Sequence, residues 1–348
     1  MKLYHQMFLK MIEENQNIIE KKIEKNPKFL EKILNLSVKK SSEILFKNLN
    51  KDKKNIILDN KKIEKDFNRR LYKKWKGPID NLEALIGISY EGGVMFTESF
   101  IEEAKKENNL VFYSLRAIHA RAVLTAKECL ILLKNGYPDG AFSRWRTIYE
   151  LSVIGGLLVD IKDNDLCERY LNFFYVQAYK EEKLNREKGY PSYDEDSFKS
   201  LKNNYDYMVK KYGKNYVNGD YGWANKLFDK DRVYFSDIEN AANMEKLKGY
   251  YKSSSMYIHG NYKASKESLG IMPNIEEILL VGPSNYGLSI PMQNVAISLY
   301  SISTFFFLIY PTIDTMSTCL IMEKFMKKIL ISADRIQTKM ENDEMRLD

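Results

Sequence analysis

Histidine and cysteine are both scarce in this chain, with three of each among 348 residues. Three histidines make a His-rich metal site improbable. Cys129, Cys167 and Cys319 are odd in number and far apart. They exclude a disulfide framework, show no metal-ligand spacing, and suit a reducing cytoplasm. Also missing are a phosphate-cradling glycine loop followed by Lys-Ser/Thr, a dinucleotide fingerprint, HExxH, a CxxC pair and a GxSxG elbow. No resident cofactor or metal is expected. The N-terminal run MKLYHQMFLKMIEENQ lacks the continuous apolar core and cleavage site of a secretory leader. Alternating strand-like patterns are scarce, and only Glu277–Val281 reads as a short extended piece.

What the chain does contain is helical periodicity almost throughout. The expected fold is all-α, a multi-helix bundle built around a central antiparallel helical hairpin, with a tyrosine-rich insertion. Residues 1–76 read as a basic helical arm with breaks near Asn26-Pro27 and around Asn50–Lys54. Trp75, Gly77 and Pro78 mark the start of the core bundle, which runs over residues 77–188 with an interruption at Gly92-Gly93. Its last helix, from Asp165 to about Glu187, carries an aromatic stripe of Tyr170, Phe174, Tyr175 and Tyr179, a pattern that usually faces a core. Residues 189–243, rich in Gly, Asn and Tyr, read as an insertion or lid. Residues 244–340 complete the bundle. One uncharged stretch, residues 292–313, approaches membrane-spanning length. Ser298, Ser301, Ser303, Thr304 and Pro311 dilute it, so a buried central helix is expected, and a membrane role is not.

Charge is unevenly spread. Residues 1–76 carry 21 Lys+Arg against 10 Asp+Glu, an excess of +11, whereas the remainder is slightly acidic. The net +7 therefore belongs to the arm. A solvated helical face is the plain reading, and a contact with RNA, DNA or an anionic membrane is the functional one.

The most informative stretch runs from Arg116 to Glu150. Gly136 ends one helix, and Pro138 with Asp139 suits the first turn of the next. Counted outward from the turn, Glu128 falls opposite Arg146. Arg121 shares a face with Glu128, and Arg146 shares one with Glu150. An enclosed Arg–Glu cluster is expected, flanked by Leu124, Leu130, Leu133, Trp145 and Leu151, with Arg144 and Tyr149 in support. Enclosed charges cost several kcal/mol each unless paired, so the cluster is either structural or a site. His259 stands in SSSMYIHGNYK, where Gly260 suggests a helix end facing a cleft. Ser255, Tyr257 and Asn261 could orient the ring. His119, three residues after Arg116, reads as a core histidine.

Three blocks carry a resemblance. They are FNRRLYKKWKGPIDNLEALIGISY from Phe67, RAVLTAKECLILLKNGYPDGAFSRWRTIYEL from Arg121, and the later YIHG. Together they resemble a bacterial family designated domain of unknown function 5677. The most specific part is Gly136-Tyr137-Pro138-Asp139-Gly140-Ala141, followed by Arg144-Trp145-Arg146-Thr147 and Tyr149-Glu150. The resemblance covers roughly residues 65–320 and implies a helical cytoplasmic protein without assigning an activity. A looser likeness is to HEPN helical ribonucleases, which pair an Arg with a His four to six residues later on one helix. No arginine here has a histidine at that spacing, so such a site would need two distant helices.

Two functions follow. The first is a helical binding or effector module for nucleic acid, nucleotide or a partner protein, of the kind found in phage defence. The second is a metal-independent ribonuclease. In it His259 moves the proton of the RNA 2′-hydroxyl, Arg146 stabilises charge on phosphorus, and Glu150 assists. Large helical faces make a homodimer the default assembly.

Overall fold

The computed structural model describes residues 3–26, 28–228, 230–272 and 278–344. Among the described residues twelve α-helices follow one another. They are α1 Leu3–Glu14, α2 Gln16–Lys25, α3 Phe29–Lys106, α4 Leu110–Lys134, α5 Pro138–Ile161, α6 Asn164–Glu187, α7 Glu195–Tyr212, α8 Phe235–Ala241, α9 Lys248–Ser254, α10 Tyr262–Lys266, α11 Ser289–Phe307 and α12 Ile313–Glu344. Short 3₁₀ turns punctuate residues 214–257. No strand occurs among the described residues. The expected extended piece is absent over residues 278–281, and Glu277 lies outside the described residues. The protein is an all-α multi-helix bundle.

The chain divides into two compact units, residues 1–69 and residues 70–348. In the first, α2 ends just before Asn26, as expected, and Pro27 lies outside the described residues. The second expected break does not occur, because α3 continues through Asn50–Lys54. Nothing there removes a backbone donor, and the Asn55 amide donates to Asp52 Oδ1 at 2.8 Å on the exposed surface. Polar residues alone do not stop a helix that water can solvate.

In the second unit α3 also runs through Gly77-Pro78, read from sequence as the start of the core bundle, and through Gly92-Gly93, read as an interruption. Pro78 deprives the Lys74 carbonyl of its helical partner. Lys74 is exposed, so water can satisfy that group. Gly92 and Gly93 serve close packing, not chain reversal. A Cβ on Gly93 would lie 2.4 Å from His119 Cε1, and one on Gly92 would lie 3.0 Å from Phe307 Cζ. Gly93→Ala is accordingly expected to cost about 1–3 kcal/mol by overpacking, although alanine is the better helix former. Urea denaturation would reveal the sign, and a stabilised variant would refute the close-approach account.

The α4–α5 hairpin forms as expected. Gly136 adopts φ 76°, and the Tyr137 amide donates to the Leu132 carbonyl at 2.9 Å across the turn. Pro138 then occupies the first turn of α5. Against this hairpin pack α11 and the part of α3 after residue 70. Helix α12 covers α11, and α6 packs on α4. Trp75, Phe112, Trp145, Leu299, Phe306 and Met322 are essentially inaccessible to water. Helix α11 is the buried central helix anticipated from residues 292–313, although it starts earlier and ends at Phe307. No described helix is long and apolar enough to cross a membrane.

Residues 189–243 are not a loose cover. Tyr216, Trp223, Val233 and Ile238 are buried, and α7 and α8 pack on α6 and α5 respectively. On α6 the expected aromatic stripe is off by one position at its centre. Phe173 is buried, and Phe174 is 59% exposed. The three cysteines are free and buried. Burial pushes the Cys129 thiol up to about 12, which leaves it unreactive.

Candidate functional site

The Arg–Glu cluster exists, but its pairing differs from the one counted along the chain. Glu128 meets Arg144, whose Nε donates to Glu128 Oε2, and not Arg146. The Arg144 guanidinium also reaches Thr147 Oγ1 at 3.2 Å. This pair is about one-third exposed on each side, so it is not enclosed and contributes little, about 0–1 kcal/mol. Arg121 is exposed and makes no ion pair among the described residues. Leu124, expected as an apolar flank, is also exposed, whereas Leu130, Leu133 and Trp145 are buried.

Arg146 turns towards α9. Its Nη1 donates to the Tyr251 carbonyl at 2.9 Å, its guanidinium lies 4.0 Å from the Tyr251 ring centroid, and Nη2 stands 3.7 Å from Glu150 Oε1. The Tyr251 hydroxyl closes the loop by donating to Glu150 Oε1 at 2.6 Å. Burial raises the Tyr251 phenol pKa first, and the bond to Glu150 adds to it, so the hydroxyl stays a donor. Ser254 Oγ donates to the same Tyr251 carbonyl at 2.8 Å. Arg146, Glu150 and Tyr251 thus form one closed unit spanning α5 and α9. One turn along α5, the Tyr149 hydroxyl lies 2.6 Å from Glu239 Oε1 and 2.9 Å from the Met244 carbonyl. The buried Glu239 carboxylate is balanced by Lys248 at 3.1 Å. Burial, then Glu239, drives the Tyr149 pKa upward. Tyr251, Glu239 and Lys248 were not singled out from sequence. Tyr251 and Glu239 lie some 90 to 105 residues from their partners on α5, and no local spacing marks them; Lys248 joins through Glu239.

His259 is elsewhere. It is exposed in the turn after α9 and lines a cavity of about 600 Å³ with Asp139, Ser143, Tyr257, Asn261 and Tyr262. Neither Arg146 nor Glu150 lines that cavity, and no described contact joins them to His259. The expected three-residue site Arg146–Glu150–His259 is therefore not assembled. Its supporting residues separate accordingly. Tyr257 lines the His259 cavity but donates its hydroxyl to the Glu267 carbonyl at 2.8 Å. The Asn261 side chain caps α10 by accepting the Lys263 amide at 3.0 Å. Ser255 Oγ donates to the Lys252 carbonyl at 2.6 Å. Asp139, from the hairpin turn, holds the Leu269 amide at 2.8 Å, and burial raises its carboxyl pKa above the usual range. The GYPDGA and YIHG blocks, some 120 residues apart in sequence, meet at this cavity.

His119 is a core histidine. Its Nε2 lies 3.1 Å from Ser89 Oγ and 3.3 Å from Ser303 Oγ, and burial pushes its pKa down to about 4. No described group of three or more His, Cys, Asp or Glu side chains could hold a metal ion.

The arm presents a different chemistry. Every Lys and Arg of residues 9–76 whose side chain is described is exposed, and only Lys10 and Arg69 make ion pairs there. At about 100° per residue, Lys40, Lys47, Lys54, Lys61 and Lys65 fall within about 60° of one another on α3. Leu34, Val38, Leu45, Leu49, Ile56 and Ile63 share the opposite face and are exposed too.

No curated protein and no solved structure matches the chain. Residues 112–277 match the model described as "Family of unknown function (DUF5677)", a narrower span than the 65–320 expected, and one that holds both blocks meeting at the His259 cavity. Over those residues the chain is similar to this family, to which no function is attached.

Proposed function

We propose that the protein is a helical binding module that grips a nucleic-acid backbone through the basic face of α3 within residues 29–69. One observation carries this reading: five lysines on one helical face, all exposed and none ion-paired. Such cations exchange condensed counterions for protein contact, and the released ions drive association. The Arg146–Glu150–Tyr251 unit supports the same reading from the other side. Its bonds hold the Arg146 guanidinium and the Tyr251 hydroxyl within the fold, which suits structure better than proton transfer.

Fluorescence anisotropy with a labelled RNA duplex over a salt series tests the proposal. Replacing the five lysines by glutamine in the full chain is expected to reduce the slope of log affinity against log salt by about 4. Deleting residues 1–64 is expected to remove binding. Salt-insensitive binding, or affinity unchanged in the five-lysine variant, would sink it. The same mixtures run on a denaturing gel with EDTA report whether RNA is cut. Cutting that is lost in both Arg146→Ala and His259→Ala, with the fold intact, would favour the ribonuclease.

A further inference from the structure

Glu150 also faces a second cavity, of about 400 Å³, formed where α5 and α6 meet the turn before Trp223. Its lining joins two carboxylates, Glu150 and Asp220, to five aromatic rings, and includes no Lys or Arg. Trp223 is buried and meets Tyr170 edge-on, with ring centroids 5.1 Å apart. Phe174, whose exposure broke the expected stripe on α6, stands at the rim. Tyr221 supplies another wall.

Two nearby cations stay outside the lining. Arg146 pairs with Glu150 at 3.7 Å and is otherwise held by the ring and carbonyl of Tyr251, so Asp220 is the carboxylate without an ion pair among the described residues. Lys180 feels the charge of Asp220, yet its ammonium donates to the Val217 carbonyl and does not line the cavity. Glu150 is fixed in place by the Tyr251 hydroxyl. Negative ring faces and carboxylates repel an anion and give a neutral ligand nothing to discharge. They attract a cation whose weakly hydrated bulk can lie against the rings.

We infer that this cavity binds a compact organic ammonium ion, held over the aromatic walls between Glu150 and Asp220. The site is independent of the arm, so nucleic-acid binding and ammonium binding succeed or fail separately.

Isothermal titration of the full chain with choline and with tetramethylammonium tests the inference. Dimethylbutanol, the neutral carbon isostere of choline, serves as the control. Saturable binding of both cations is expected, with the isostere weaker by about tenfold or more. Asp220→Asn and Phe174→Ala each alter an exposed side chain, so circular dichroism should be unchanged. Each is expected to weaken choline by about tenfold. The inference is overturned if neither cation binds at millimolar concentration. It is equally overturned if the isostere binds as well as choline, or if both variants keep wild-type affinity.

Discussion

Trp145→Ala should lower the unfolding free energy by about 3–5 kcal/mol, the range for emptying a fully buried aromatic site. Trp145 has no exposed surface, and its ring stacks on Phe142 at 5.4 Å with the planes within 7°. It also touches Tyr149 at a centroid distance of 5.4 Å, and its indole N–H donates to Ser298 Oγ at 3.0 Å. The substitution therefore removes packing between α5 and α11 and strands a hydroxyl. Trp145→Phe keeps most of the stacking and gives up the hydrogen bond, so a smaller loss of about 1–2 kcal/mol is expected. Guanidinium denaturation of both variants decides the matter. A loss below about 1 kcal/mol for the alanine variant would mean that the core closes around the gap.

Acid should unfold this protein earlier than its carboxylates alone would dictate, and His119 is the reason. Its folded pKa is about 4, against 6.5 for an accessible imidazole, because burial disfavours the charged ring. Between those values the unfolded chain binds a proton that the native chain refuses, so stability rises with pH there. The contribution is complete above about 6.5 and is lost as pH falls towards 4, amounting to roughly 3 kcal/mol. Asp139 slopes the other way, since its raised pKa favours the native state on acidification. Asp163, Asp165, Asp194 and Asp237 have lowered pKa values and lose their stabilising effect only as pH falls below about 4. His119→Leu should flatten the stability curve between pH 4 and 6.5. An unchanged slope in that variant would place the proton uptake elsewhere.

What could be read from the sequence follows how local each signal is. Gly136 and Pro138 mark the hairpin turn because the turn is made by those residues themselves. Residues 292–313 announce a buried helix because a helix apolar on all sides can have no wet face. Counting from the turn could not give the partner of Glu128. The difference between Arg144 and Arg146 is about 200° of helical rotation, and turn length says nothing about rotation. Gly92-Gly93 illustrates a second limit. Glycine signals either a break or a close neighbour, and His119 and Phe307, the neighbours in question, belong to distant helices. His259 was separated from Arg146 for the same kind of reason. The path of residues 189–258 determines where the ring arrives, and that path is held by pairs such as Tyr149–Glu239 that span some 90 residues.

Helix α11 is dissolved in its neighbours much as a transmembrane segment is dissolved in lipid, and it faces the same lack of orientation. Uniformly greasy surfaces slide and spin. Two hydroxyls, five positions apart, act as a key: Ser298 takes the indole N–H of Trp145, and Ser303 meets Ser89 and His119. A one-residue rotation would orphan both at once, so two small oxygen atoms set the phase of a rod that oil alone would leave free to turn.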